Sequence, residues 1–266
     1  MQIDGARRKV LVIGLSGLVG PPIVKYLCDH YLSCTTVVGA TRNVDSPSAR
    51  RLLSSVTGSG LELIRADMSD EKSICEALQG VSFSDVRRWP WCDDVAYQVS
   101  TVMIVTPGAE NRVDLVNNVI RACHEAAAVS HVVVLSTLAA ARESTVLGGQ
   151  YMKIEEAVSS CGINYTILRL SLFMENMLAH VRTAQRDQQI RSSLTPSSTF
   201  AVTAAADIAR AAAVVLADPS AHSSKTYSLT GAIVSMEMVA EAYSKASGTE
   251  IVYLQVQYFC LANFNK

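Results

Sequence analysis

Residues 9–20, KVLVIGLSGLVG, carry an unbroken apolar stretch straight into glycines at 14, 17 and 20, and then into a helical pattern that opens near Leu18. Few folds accommodate such a run. A strand apolar on both faces belongs to a sheet covered on both sides, and three glycines spaced by three at its end serve three separate needs. Gly14 permits the sharp turn off the strand, Gly17 lets backbone approach a ligand without a Cβ in the way, and Gly20 allows the helix to lie close on the sheet. The N–H groups around Ser16, Gly17, Leu18, Val19 and Gly20 then make an anion site at the helix start, suited to a dinucleotide pyrophosphate.

The rest of the chain repeats the alternation. Apolar runs of strand length fall at 10–13, 35–38, 61–64, 101–105, 131–135 and 164–168, with helix-period segments between them at about 18–31, 46–55, 70–79, 111–128 and 150–161. Strands that alternate with helices imply a parallel sheet, because parallel neighbours need crossover connections. The expected fold class is therefore α/β, a doubly wound parallel sheet of Rossmann type. Ser69-Asp70 reads as one helix start, and Asp207 as another, ahead of 208–216. After Arg169 the sequence reads as having fewer strands and longer polar connections. We expect a nucleotide-binding core over 1–170 and a small C-terminal substrate lobe over 171–266.

Composition narrows the function classes. A net charge of −1 with no long basic block argues against a nucleic-acid partner. No apolar run reaches membrane-spanning length, and the N-terminal MQIDGARRKVL leads directly into the first strand, so the expectation is a cytoplasmic protein. Cysteines at 28, 34, 75, 92, 123, 161 and 260 show no C-x-x-C pair and no metal-ligand spacing, and His180 and His222 have no acid or cysteine set nearby. No metal site is expected.

An NAD site places an acid at the end of the second strand, roughly 20 residues past the glycines, to accept from the ribose 2′-OH. Here no acid lies between Asp29 and Asp45, and that position reads Thr41-Arg42-Asn43. A guanidinium offers a planar fork of donors to a 2′-phosphate, so NADP(H) is expected over NAD(H).

Seven stretches, VLVIGLSGLVG (10–20), GATRN (39–43), ADMSD (66–70), VMIVTPG (102–108), SHVVVLST (130–137), GINYTILRLSLFMENML (162–178) and AADIARAAAVVLADPSAHSSKTYSLTG (205–231), together resemble the NmrA-like branch of the atypical short-chain dehydrogenase/reductase superfamily. They occur in that family's order and cover most of residues 9–250. The resemblance implies an NADP-binding Rossmann fold acting on a small-molecule substrate as a reductase, or alternatively a redox-sensing regulator with a protein partner or as a homodimer. It also implies that Asp67 and Met68 flank the adenine, Thr106 and Pro107 the nicotinamide ribose side, and Ser136 and Thr137 the floor near the nicotinamide.

For catalysis the residues leave alternatives open. The superfamily's usual Tyr-x-x-x-Lys is absent: Tyr151 has Glu155 at the fourth position, and Tyr165 has Arg169 but lies in a strand. Tyr151 supplies a phenol as proton donor, or Lys153 serves from a shifted helix start, or the protein binds cofactor without strong catalysis. Two residues apart, Tyr151 and Lys153 face nearly opposite sides of a helix, and the phenol is expected to point inward. Phe173, Met174 and Asn176, after the last core strand, line a substrate site or form a packed hinge. Ser171-Leu172 stands where the family usually has Pro-Gly. Residues 83–100 read as an insertion, since excising them joins GVS to TVMIVTP with Val81-Ser82 repeating Val99-Ser100. The single strand-like run EIVYLQVQYF before Lys266 implies a shortened substrate lobe.

Overall fold

The computed structural model describes residues 8–56, 60–79, 98–141 and 145–257. The first part alternates β1 Arg8–Ile13, α1 Gly20–His30, β2 Thr35–Thr41, α2 Pro47–Ser55, β3 Leu61–Arg65, α3 Glu71–Gln79, β4 Thr101–Ile104, α4 Arg112–Glu125, β5 His131–Thr137, α5 Val146–Ser160 and β6 Asn164–Leu170. There follow β7 Leu172–Phe173, α6 Val181–Asp187, β8 Gln189–Ser192, β9 Thr199–Thr203, α7 Ala205–Ala217, β10 Lys225–Leu229, β11 Ala232–Ser235, α8 Met236–Ser247 and β12 Val252–Gln255.

Seven strands make one sheet in the order β3-β2-β1-β4-β5-β6-β10. The pairings β1 with β2, β2 with β3, β1 with β4, β4 with β5 and β5 with β6 are all parallel. This is the doubly wound Rossmann order, with its switch point between β1 and β4, where chain direction across the sheet reverses and a crevice opens at the carboxyl ends of the strands. The central strands are apolar on both faces for that reason: Val10, Leu11, Val12, Val102, Met103, Ile104, Val132, Val133 and Val134 are buried without residue. Each such side chain contributes about 1.5–3 kcal/mol over leaving it in water.

The helices follow from local chemistry. In α1, Ile23, Val24, Leu27 and Cys28 form the buried stripe, while Lys25 and Asp29 pair on the outside at 2.8 Å, one turn apart. Ser46 caps α2 through Oγ, which accepts from the Ala49 N–H at 3.2 Å. Asp70 caps α3, its Oδ1 accepting from the Ser73 N–H at 3.3 Å. Two helix starts differ from the sequence reading. Helix α5 opens at Val146, a turn earlier than the expected 150, because Thr145 Oγ1 accepts from the Gly148 N–H at 2.9 Å and this cap outweighs the poor propensity of Gly148-Gly149. Helix α7 opens at Ala205, so Asp207 sits inside its first turn rather than before it. The Ala205 N–H, left free at a helix start, is taken by Glu175 Oε1 at 2.8 Å.

Beyond Arg169 the expectation of fewer strands than in the first half is not met. Among the described residues six short strands follow, five of them in two small sheets, β11-β9-β7 and β12-β8. They are two to five residues long and only partly buried, so they lack the long apolar runs that mark the central strands.

The chain divides into two compact units, the residues up to Leu170 with 206–228, and 171–205 with the residues from Leu229 onward. The first carries the large sheet and its core. The second has its own small core of Ala184, Ile190, Met236, Val239, Ala240 and Ile251, with Tyr243 and Tyr253 packed against it.

Candidate functional site

The carboxyl ends of the strands in the first unit gather the glycine turn, Arg42, Asp67, Thr106 and Ser136 along one edge. At the turn, Gly14 has φ +101°, a conformation that side chains other than hydrogen strain to adopt, and a Cβ there would lie 2.6 Å from the Val105 carbonyl oxygen. A Cβ on Gly20 would lie 2.5 Å from the Gly14 carbonyl oxygen. Gly17 differs: its Cβ would meet nothing nearer than that same oxygen at 3.8 Å. Protein atoms thus demand glycine at 14 and 20, whereas the space beside Gly17 is open to a ligand. Ser16, Gly17 and Leu18 are exposed, Val19 and Gly20 buried. Val19 makes no side-chain cap and α1 has no acid in its first turn, but Pro21 and Pro22 in that turn carry no N–H, so the donors open to an anion are those of the turn from Ser16 to Gly20.

At the end of β2, Thr41 is half-buried and Arg42 exposed. Asp67 follows β3, and its carboxyl is held below the usual carboxylate range, first by the Ser69 backbone N–H, 2.9 Å from Oδ1, with the charges of Arg42 and Arg65 adding to it. Arg42 and Asp67 are therefore electrostatic neighbours across two adjacent strand ends. Met68 is buried, and its carbonyl accepts from Asn118 Nδ2 at 2.8 Å.

Thr106 Oγ1 donates to the Leu135 carbonyl at 2.8 Å, tying the end of β4 to β5, with Pro107 half-buried behind it. Thr137 Oγ1 accepts from the Ala139 N–H at 3.3 Å and opens the short 3-10 turn Leu138–Ala141. Ser136 is buried, and its hydroxyl donates to Glu155 Oε1 at 2.5 Å. Glu155, also buried, takes Arg169 Nε at 2.9 Å on the same oxygen and Arg169 Nη2 at 2.6 Å on the other. One turn before Glu155, Tyr151 is half-buried against the core, whereas Lys153 is exposed. Burial pushes the Tyr151 phenol up, and the charge and hydrogen bonding of Arg112 pull against it. The Arg112 Cζ lies 5.5 Å from the ring centroid.

Sequence reasoning did not include Glu155, Arg169 or Arg112 in the site. The first two were visible only as departures from Tyr-x-x-x-Lys, and Arg112 carried no signal beyond its place at a helix start.

Phe173, Met174 and Asn176 belong to the second unit. Phe173 pairs with Thr203 in β7–β9 and is half-buried, while Met174 and Asn176 are exposed on the 3-10 turn Met174–His180. Among the described residues no three His, Cys, Asp or Glu side chains gather in a metal-binding cluster. Cys28, Cys34, Cys75, Cys123 and Cys161 are free, and burial pushes the Cys28 and Cys123 thiols up to about 12. No helix among the described residues is long and apolar enough to cross a membrane.

An open doubly wound sheet whose glycine turn stands at the switch point defines a Rossmann-type protein. The chain belongs to the NmrA-like family, whose model matches residues 91–265. It is 25% identical over 245 residues to quinone oxidoreductase 2 of Escherichia coli K12, covering 92% of this chain and 76% of the relative. Among solved structures it is similar to the Citrobacter triphenylmethane reductase complexed with NADP(H), with a TM-score of 0.78, 21% identity and coverage of 96% and 82% of the two chains. It is also similar to NmrA, a negative transcriptional regulator in complex with NADP, with a TM-score of 0.74, 13% identity and coverage of 94% and 74%.

Proposed function

We propose that this protein binds NADP(H) along the carboxyl edge of its first sheet and acts as an NADPH-dependent reductase of a small quinone, aromatic or carbonyl compound. The observation that carries the reading is the pairing of a ligand-open glycine, Gly17, with an exposed arginine, Arg42, where an NAD site would have an acid. The residues fit the cofactor: the turn from Ser16 to Gly20 would hold the pyrophosphate, Thr41 and Arg42 the 2′-phosphate, Asp67 and Met68 the adenine, and Thr106, Pro107, Ser136 and Thr137 the nicotinamide side. When bound, NADPH supplies the hydride. The chain's own part is to orient the reactants and to supply a proton. Tyr151, neutral and half-buried, is the donor we assign. Lys153, exposed, keeps its ammonium in water, which is its lower-energy state. Phe173, Met174 and Asn176 are assigned to the substrate.

The relatives support this reading through what they are named for, quinone reduction and triphenylmethane reduction with NADP(H). Glu155 in place of the superfamily's lysine favours a second reading, an NADP(H)-dependent sensor with little turnover. The deciding experiment is NADPH oxidation against a panel of quinones, triphenylmethane dyes and carbonyl compounds, beside an NADPH binding titration. Steady turnover that Gly17→Asp abolishes supports the reductase. Tight binding without turnover on any substrate leaves the sensor.

A further inference from the structure

Tyr151 and Arg112 come from different helices and meet at the same corner of the first unit. Arg112 is the first residue of α4, and its Nε donates to the Ala109 carbonyl at 2.8 Å, anchoring the guanidinium to the loop that leaves β4. Gln150 Nε2 donates to the Glu110 carbonyl at 2.8 Å, which draws the second turn of α5 to that same loop. The result is a fixed cation whose Cζ stands 5.5 Å from the centre of the Tyr151 ring, within the range of cation–π attraction.

The other charged groups along this face are otherwise engaged. Glu155, one turn further along α5, is committed to Arg169 and Ser136. Lys153 is on the exposed side. Among the described residues, Arg112 is the charged group that acts on the phenol. Because the ring is packed against the core, water solvates its oxygen poorly, and a nearby fixed cation counts for more than it would at the open surface.

We propose that Arg112 is a positioning residue for Tyr151: its guanidinium orients the phenol and stabilises the phenolate left when the Tyr151 proton passes to the substrate oxygen. The inference rests on the reductase reading above, with Tyr151 as donor. The step balances. Bound NADPH would supply the hydride, its nicotinamide C4–H bond breaking as it is oxidised to NADP+; the substrate carbonyl carbon would gain the C–H bond and the carbonyl π pair would move onto oxygen. That oxygen bonds the Tyr151 proton, the phenol O–H pair stays on Tyr151, and water returns the proton afterwards.

The test is the phenol titration of the full chain labelled with [13Cζ]tyrosine, followed by NMR, the Tyr151 signal being the one lost in Tyr151→Phe. Arg112→Gln is expected to raise the Tyr151 phenol pKa by about 1 and to lower kcat about tenfold, with NADPH affinity unchanged. Arg112→Lys, which keeps the charge, is expected to recover most of both. A Tyr151 pKa unmoved in a folded Arg112→Gln protein overturns the inference even if activity falls, since the loss would then be one of packing. The reductase reading fails differently: Tyr151→Phe with full kcat removes the donor, whatever Arg112→Gln does to the titration.

Discussion

Arg169 grips Glu155 with two nitrogens, Nε 2.9 Å from Oε1 and Nη2 2.6 Å from Oε2, so that a side chain of β6 is clamped to one of α5. With 29% and 10% of the two side chains exposed, the pair is largely withdrawn from water, and Ser136 adds its hydroxyl to the same carboxylate. A fork of two N–H donors on a carboxylate is among the stronger polar contacts a protein makes, but its members depend on each other. Arg169→Met leaves a carboxylate buried without its cation and is expected to cost about 3 kcal/mol of stability. Glu155→Gln with Arg169→Met together should cost less than the sum of the two single changes. Urea unfolding of the three variants measures this; additive losses would mean that the pair is not coupled.

His131 gives the molecule an acid limit. It is buried at the start of β5, its Nε2 lies 2.9 Å from Thr166 Oγ1, and that hydroxyl in turn donates to the His222 carbonyl at 2.8 Å. Thr166 has spent its proton, so Nε2 must be the donor to it. Burial drives the His131 pKa down to about 4, with His222 and Arg8 adding repulsion. The folded state therefore favours neutral His131, and the unfolded state binds the extra proton between pH 6.5 and 4. Stability is full above the unfolded pKa and falls as pH drops, by about 2 kcal/mol from pH 7 to 5 from this group. Unfolding at several pH values should show the slope, and His131→Gln should flatten it over that interval.

Arg42 separates the two nicotinamide cofactors. Arg42→Ala is expected to weaken NADPH binding by about tenfold to a hundredfold, the worth of charge-assisted hydrogen bonds to a phosphate, and to leave NADH binding unchanged. Calorimetric titration with both nucleotides checks it. Tighter binding of NADH than NADPH by the unmodified protein would remove the argument from Arg42.

Residues 80–97 lie outside the described residues, but the chain that follows them is placed. The Val99 N–H donates to the Leu78 carbonyl at 3.4 Å and the Ser100 N–H to the Lys9 carbonyl at 3.1 Å, with Val99 fully buried. Deleting 83–100 leaves Val81-Ser82 to take the places of Val99-Ser100 directly after α3. The shortened chain is expected to unfold cooperatively, with a thermal midpoint at or above that of the full chain, because less chain entropy opposes folding. Loss of a cooperative transition would show that the deleted residues hold part of the core.

Local features of the chain, read without the structure, determined β1 to β6 of the large sheet and its turn, but not its seventh strand, β10. An apolar run followed by glycines at 14, 17 and 20 has few solutions, and hydrophobic period separates strand from helix for β1 to β6, since burial on both faces writes itself into consecutive residues. Arg42 was legible too, because the missing acid is a property of one strand end. Tertiary structure decided what depends on partners far apart in sequence. It joined Glu155 to Arg169, two residues that in the sequence appeared only as interruptions of a motif, and set Arg112 beside Tyr151 from another helix. It supplied Glu175 to the start of α7, which moved that helix ahead of Asp207. It also returned 206–228 to the first unit and built six short strands from half-exposed residues. Side-chain pairing across elements leaves no periodic trace, and a short strand on a small sheet buries too little to show a pattern.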